Sequence, residues 1–431
     1  YRPRRLGRLW MNAPLQKPEI ISMGCRLNLA ESNALAEQLA GHDDIVIINS
    51  CAVTNESVRQ TRQAIRQAHK RRPDAKVWVT GCAAQVEPET FESMPEVTGI
   101  FGNHEKQNAA LLREIIERPD RPVVVSDIMT IAQTAPHLVT AYSGKTRAFV
   151  EVQNGCDHRC TFCIIPYGRG NSRSVPAGSV IEHIQKLVDS GFQEVVLTGV
   201  DVTSYGHDLP GQPNLGSLVE RILKLVPDLP RLRLSSIDGV EIDARLFDLL
   251  TGETRVMPHI HLSLQAGDNM ILKRMKRRHS RELAIDLVAR LKAKRPDITI
   301  GADIIAGFPT EDDAMFANSV DLVRQCNIVH GHIFPYSPKK GTPAARMPQL
   351  PPQIIKARAK ALRDAVATEK SAWMRALIGT TQNVAVESGG YAGHAENFAY
   401  LKLDTKMPEG RIVSARITHI QDEVLQAEVI E

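Results

Sequence analysis

The chain has 431 residues, 43% of them hydrophobic, and its 53 Lys and Arg against 49 Asp and Glu leave a net charge of only +4. That length predicts two or three domains, and the balanced charge excludes polyanion binding as a property of the whole surface. No apolar run approaches a membrane span or a signal peptide, so a cytoplasmic protein without membrane partners is expected, and seven clustered Cys fit thiolate ligands in a reducing compartment better than disulfides.

The first ten residues hold Arg2, Arg4, Arg5 and Arg8 without periodicity. They read as a leader ahead of Met11, with a basic arm for RNA as the alternative. Apolar, β-branched runs at residues 19–23, 45–48 and 77–80 then alternate with helical stretches at 29–39 and 58–71. That alternation predicts a parallel sheet with helices on both faces. Cys25, Cys51 and Cys82 each fall just past one of these strands, at the carboxyl edge where such sheets bind ligands, so thiols distant in sequence should meet. Three inert buried thiols would have no reason to occupy the equivalent turn. A three-Cys iron–sulfur cluster is expected instead. Residues 118–145, with Pro119, Pro122 and Pro136, hold one strand-like piece at 122–126 and otherwise read as a connector, with a domain boundary near 140.

Strand-like runs recur at residues 148–152, 194–198, 231–235, 259–264, 298–305 and 328–334, with helix-length segments between them. Six βα units suit an incomplete version of the eight-fold barrel, whose chemistry sits at the carboxyl ends of its strands. There, after the first run, stand Cys156, Cys160 and Cys163, three thiols within eight residues. Closed zinc sites use four ligands, and His158 is the only further candidate. A [4Fe-4S] cube held by three thiolates instead keeps one iron open to a small molecule bearing an amine and a carboxylate.

Lys273, Arg274, Lys276, Arg277, Arg278 and Arg281 crowd one short segment with no acid before Glu282. Phosphate contact is as well supported there as a solvated face. Arg169 and Arg173, just past the thiol loop, serve substrate or brace that loop. Cys326 has no motif partner and reads as an inert buried thiol. Pro343, Pro348, Pro351 and Pro352 mark a stiff connector before a helix over 353–378. Its Lys356, Arg358, Lys360 and Arg363 track RNA or form a solvated face. Alternating runs at 383–386, 399–403, 412–420 and 424–429 predict a small five-strand barrel. Acids outnumber bases in that tail, so RNA contact would rest on stacking by Phe398 and Tyr400 and on a few placed cations.

The pattern Cys156-x-x-x-Cys160-x-Phe162-Cys163 resembles the signature of radical S-adenosylmethionine (SAM) enzymes. The turns at residues 22–32, 49–54 and 79–85 resemble the cysteine turns of the methylthiotransferases, and 393–398 resembles a loop of their RNA-binding TRAM domain. Arg26-Leu27-Asn28, 232–236, 261–268 and 273–278 are most similar to the MtaB-like branch. The resemblance implies an α/β protein: an N-terminal parallel-sheet domain (12–140), a partial (β/α)6 radical SAM barrel (141–340), a connector with a basic helix (341–378) and a TRAM-like all-β barrel (379–431).

It also implies two [4Fe-4S] clusters and SAM. Cys156, Cys160 and Cys163 would carry the catalytic cluster, and Cys25, Cys51 and Cys82 an auxiliary one with an open iron, implicated in supplying sulfur. Phe162, Thr198, Gly199, Ser235, Gln265 and Gly307 would bind SAM, and Arg173, Arg277, Arg278 and Phe398 would contact RNA. The implied enzyme consumes two SAM to place a methylthio group on C2 of N6-threonylcarbamoyladenosine in the anticodon loop of tRNA. A low-potential donor such as flavodoxin or ferredoxin would feed it electrons; no oligomeric state is implied. Sister branches act on isopentenyladenosine in tRNA or on a ribosomal-protein aspartate. A non-catalytic iron–sulfur RNA-binding protein is the alternative of another class.

Overall fold

The computed structural model describes residues 18–118, 120–132, 146–387 and 389–430. The leader at 1–10 and the boundary near 140 lie outside the described residues. Among those described, no helix is long and apolar enough to cross a membrane.

The N-terminal part alternates β1 (Glu19–Ser22), α1 (Arg26–Gln38), β2 (Ile45–Ser50), α2 (Asn55–Arg71), β3 (Lys76–Gly81), the short α3 (Cys82–Val86) and α4 (Pro88–Glu92), β4 (Gly99–Phe101), α5 (Ala109–Glu117) and β5 (Val123–Val124). Its five strands pair in parallel in the order β1-β2-β3-β4-β5. Every residue of β2 is buried, so alternate side chains serve opposite faces. Val46 and Ile48 meet Ile65 of α2 and Phe91 of α4, whereas Ile45 and Ile47 meet Leu35 of α1 and Ile115 of α5. Strand β4 was not visible in the sequence. It is short, and Gly99 is required there because a Cβ would stand 2.4 Å from the Trp78 ring.

The central part contains β6 (Arg147–Asn154), α6 (Ile165–Arg169), β7 (Arg173–Ser174), α7 (Ala177–Asp189), β8 (Glu194–Gly199), α8 (Leu215–Leu225), β9 (Arg231–Leu234), β10 (Ser236–Ile237) and α9 (Ala244–Gly252). It continues through β11 (His259–Gln265), α10 (Asn269–Arg274), α11 (Arg281–Lys294), β12 (Thr299–Ala306), α12 (Asp313–Gln325), β13 (Ile328–Pro335) and α13 (Pro352–Ala376). Two four-stranded sheets, β7-β6-β8-β9 and β10-β11-β12-β13, meet where Ser235 interrupts one continuous run into β9 and β10. All pairs are parallel except β6 with the short β7. Val150, Val152, Val195, Leu197, Leu232, Leu262 and Ile300 join the helices in the largest apolar cluster. The alternate positions, Gln153, Glu194, Thr198, Arg233, His259, His261 and Asp303, carry polar groups into the lumen.

Helix α13, expected as a separate basic element, packs against β13, β12 and α12. It is the sixth helix of the barrel. Its Arg358 does not track RNA: it is 7% exposed and donates to Glu311 Oε2 at 2.9 Å and Asp313 Oδ1 at 2.7 Å.

The C-terminal strands β14 (Thr381–Val386), β15 (Ala392–Ala395), β16 (Tyr400–Leu403), β17 (Ile412–Gln421) and β18 (Val424–Ile430) close a barrel in the order β14-β15-β16-β18-β17. Part of the stretch read as a loop, Gly393 to Ala395, is strand β15. This small barrel seals the amino end of the central one. Arg231 donates to Asn383 O at 2.9 Å, Arg233 to Glu396 O at 3.1 Å and Thr299 Oγ1 to Asn397 O at 2.7 Å.

The seal has a pH-sensitive core. His259 is 2% exposed, neither of its ring nitrogens is hydrogen-bonded among the described residues, and it stacks 4.6 Å from Phe398. Burial, seconded by the charge of Arg233, holds its pKa well below the usual histidine range, and burial brings His330 down to about 3. Both rings are neutral in the folded chain, while the unfolded chain takes up protons below about pH 6.5. The stability they permit is therefore present above that pH and lost as pH falls, by about 2 kcal/mol at pH 5 for His259. Urea midpoints should fall between pH 7 and pH 5, and His259→Phe should remove part of the fall. Identical pH slopes in the two proteins would contradict this account.

Candidate active site

Three turns build the first thiol trio. Gly24, at φ +87°, delivers Cys25 to the start of α1, and a Cβ there would stand 2.8 Å from Cys51 Sγ. Gly81, at φ +94°, delivers Cys82 to the start of α3 where Ser50 O leaves no room for a side chain. Asn28 ties two of the turns together by donating from Nδ2 to Met23 O at 2.7 Å and Ser50 O at 3.0 Å. Ser50 Oγ accepts from Ala84 N at 3.1 Å, binding the third.

The second trio hangs from the end of β6. Gly155, at φ +74°, lies so close to Asn171 O that only glycine fits. Cys156 N donates to Gly170 O at 3.0 Å, Cys163 N to Cys160 O at 3.1 Å, and Thr161 Oγ1 to Arg274 O at 2.8 Å. His158 pairs with Asp201 at 3.1 Å and Glu241 at 3.6 Å. Those carboxylates raise its pKa to about 10, and its ring faces them rather than serving the thiols as a fourth ligand.

The two trios adjoin. A Cβ on Gly168, five residues past Cys163, would stand 3.3 Å from Cys82 Cβ. Burial pushes the Cys163 thiol up to about 12, and the charge of Cys82 contributes to the rise. Burial also raises Cys25, Cys51 (to about 11) and Cys156, the last helped by Asp201. Thiols so desolvated stay protonated unless a cationic centre takes the proton's place. Two thiolates on one zinc ion can stand no more than about 4.6 Å apart. Among the described residues, the groups whose ligand atoms all lie within 4.8 Å of one another are His261, Asp303 and His332, and His158, Asp201 and Glu241; neither thiol trio is that compact. The donor set and spacing suit an iron–sulfur cube better than a single ion.

Beneath Cys82 lies a charge network that sequence reasoning missed. Arg169 Nε donates to Cys82 Sγ at 3.1 Å, while its other nitrogens pair with Glu31, which also takes Lys106 at 2.6 Å. All three side chains are at most 2% exposed. Glu31 and Arg169 stand in motif stretches, but nothing in the sequence marks Lys106 as their partner.

The expected SAM residues divide. Thr198, Gly199, Ser235 and Gln265 share the carboxyl rim with Cys156. Ser235 Oγ is buried without a hydrogen-bond partner among the described residues. Gln265 holds a strained φ of +66°. Gln153 Oε1 accepts from Val200 N at 3.1 Å and Asp201 N at 2.8 Å, fixing the turn after Gly199. Phe162 packs edge-on to Phe308, and Gly307 backs onto Ile355 of α13, where a Cβ would stand 2.8 Å away.

Three of the four expected RNA contacts need correction. Arg173 is 3% exposed and donates to Asn171 O and Arg169 O, so it braces the loop. Arg277 turns inward to Asp238 at 3.0 Å and Cys160 Sγ at 3.8 Å. Phe398 is no stacking platform, because His259 and His394 stand 4.6 Å from its ring. Arg278 is 42% exposed but paired with Glu241 at 2.7 Å. Cys326 is fully buried, as an inert thiol should be.

Comparison with known proteins decides the family. Residues 150–323 match the model of the radical SAM superfamily, and 17–102 that of the uncharacterized protein family UPF0004. The threonylcarbamoyladenosine tRNA methylthiotransferase MtaB of Rickettsia prowazekii is 49% identical over 408 residues, covering 94% of this chain and 96% of the relative. The chain belongs to the MtaB family of methylthiotransferases. Membership in the MtaB family makes it a radical SAM enzyme with [4Fe-4S] and SAM cofactors. A sister protein, the tRNA-2-methylthio-N(6)-dimethylallyladenosine synthase of Staphylococcus haemolyticus, is 32% identical and covers 85% of this chain and 74% of its own. Among solved structures, the radical SAM methyltransferase TsrM of Kitasatospora setae superposes with a TM-score of 0.52 at 18% identity, covering 70% of this chain and 66% of that one. That likeness concerns the fold alone.

Proposed function

We propose that this protein is a tRNA methylthiotransferase that places a methylthio group on C2 of N6-threonylcarbamoyladenosine beside the anticodon. The 49% identity across 96% of a relative bearing that name carries the reading, and the two adjoining thiol trios support it. When bound, the cluster on Cys156, Cys160 and Cys163 supplies the electron that cleaves SAM, and the cluster on Cys25, Cys51 and Cys82 supplies an open iron for the sulfur donor.

The chain's own residues hold and neutralise these centres. Arg169 at Cys82 and Arg277 at Cys160 offset thiolate charge. The Thr161 bonds pin the loop to the carboxyl end of α10. Thr198, Gly199, Ser235 and Gln265 line the rim where SAM would lie, with Phe162 and Gly307 forming packed walls behind it. Exposed Lys273, Lys276 and Arg278 on that rim suit anticodon-loop phosphates. An anticodon nucleotide lies outside continuous duplex and can be splayed into the lumen. A low-potential donor such as flavodoxin or ferredoxin in the cytoplasm completes the reaction.

Anaerobically reconstituted protein, SAM, reductant and an anticodon stem-loop carrying threonylcarbamoyladenosine should yield a nucleoside heavier by one methylthio group in place of hydrogen. Modification of a dimethylallyladenosine stem-loop instead would overturn the substrate, and modification of neither RNA would overturn the reading.

A further inference from the structure

One cation in the lumen, Arg26, has neither an acceptor nor a counter-ion among the described residues. Arg26 directly follows Cys25 and opens α1, whose residues lie against β6 and β8. Its guanidinium stands 6.0 Å from the centroid of Phe149 and 5.6 Å from that of Phe398. Among the described residues no hydrogen bond or ion pair engages it. The acids nearby are committed elsewhere. Glu194 receives Arg233 at 2.9 Å, and Asp303 Oδ1 stands 3.1 Å from His261 and 3.2 Å from His332. Arg26 is half-buried, and the like charges of Arg147 and Arg233 lie near it. A desolvated guanidinium without an acceptor is costly, and an arriving anion removes that cost.

We propose that Arg26 reads the carboxylate of the threonylcarbamoyl group, making it the residue that selects this substrate over an alkylated adenosine. The inference rests on the threonylcarbamoyladenosine reading above. Chemistry selects the partner: a threonylcarbamoyl group ends in a carboxylate, whereas a dimethylallyl group has none. A guanidinium presents a planar fork that a carboxylate meets with two hydrogen bonds, and the adjacent Phe149 and Phe398 rings favour its charge where it stands. Position agrees. N6 and C2 flank N1 on one edge of adenine, so a base gripped through its N6 substituent at Arg26 offers C2 to groups beside it. Arg26 is one peptide unit from a thiol of the trio assigned to sulfur.

Stem-loops carrying threonylcarbamoyladenosine, its threonine methyl ester or dimethylallyladenosine test this, using reconstituted holoenzyme, fluorescence anisotropy for binding and nucleoside mass spectrometry for turnover. The wild type should bind the acid about 10- to 100-fold more tightly than the ester. Arg26→Gln should bind the two alike at the wild-type ester's affinity, and Arg26→Lys should keep part of the preference. A wild type indifferent to esterification overturns the proposal without recourse to any variant. An undiminished acid-over-ester ratio in Arg26→Gln overturns it as well, as expected if Arg26 serves the SAM carboxylate. Equal loss of both RNAs relative to wild type assigns Arg26 to a phosphate and also overturns it. In each case, continued wild-type turnover of the threonylcarbamoyl RNA leaves the substrate reading standing. Wild-type turnover of the dimethylallyl RNA alone removes both.

Discussion

Cys160→Ala should abolish 5′-deoxyadenosine release and methylthiolation together, while Cys51→Ala should keep SAM cleavage and lose only the thiolated product. Each variant should also lose about four of about eight irons per chain, since each trio is assigned one cube. The loss of product should reach background, roughly a thousandfold, because no other thiol can replace the missing one. Cys326, the only Cys outside the trios, is fully buried among Leu322, Val323 and Ile328. The split follows from geometry: Cys160 lies in the loop pinned by Thr161 and faced by Arg277, whereas Cys51 lies beyond β2 against Gly24. Chromatography of SAM products beside nucleoside mass spectrometry reads both halves. Undiminished methylthiolation in either variant would end this division of labour.

Glu31→Gln should destabilise the folded chain by about 3–5 kcal/mol, the cost of leaving buried charges without their counter-ion. Lys106 and Arg169 are 1% and 2% exposed and share that carboxylate. Burial, the largest influence on Lys106, already favours its neutral form, so losing Glu31 would drive it further that way. Urea unfolding followed by fluorescence is suitable because Trp78 is buried in one apolar cluster with Leu35 of α1, the helix that carries Glu31. Glu31→Gln combined with Lys106→Met should recover much of the loss by removing one stranded cation. Full stability in Glu31→Gln alone would show that this network contributes nothing.

The thiol trios were legible because their signals are local. Each Cys of the first trio follows a strand-like run, two of them after a glycine, and the second trio fits within eight residues. The barrel strands were legible for the same reason, since alternation is written along the chain. What escaped was pairing between distant elements. The basic run at 273–281 looked unbalanced because its acids arrive from elsewhere: Asp238 and Glu241 for Arg277 and Arg278, and Asp321 for Arg281. Phe398 looked like a platform for bases because neither His259 nor His394 could be placed against it without the docked C-terminal barrel. Lys106 carried no motif at all, and only the fold reveals its value to Glu31.

The C-terminal barrel acts as a stopper: bonds from Arg231, Arg233 and Thr299 fasten it across the amino end of the lumen. Reactant and RNA are then left the carboxyl face, and an RNA loop seated there would cover the rim that holds Thr198, Ser235 and Gln265. Order of arrival would then be a property of the architecture, with the small molecule entering before the RNA.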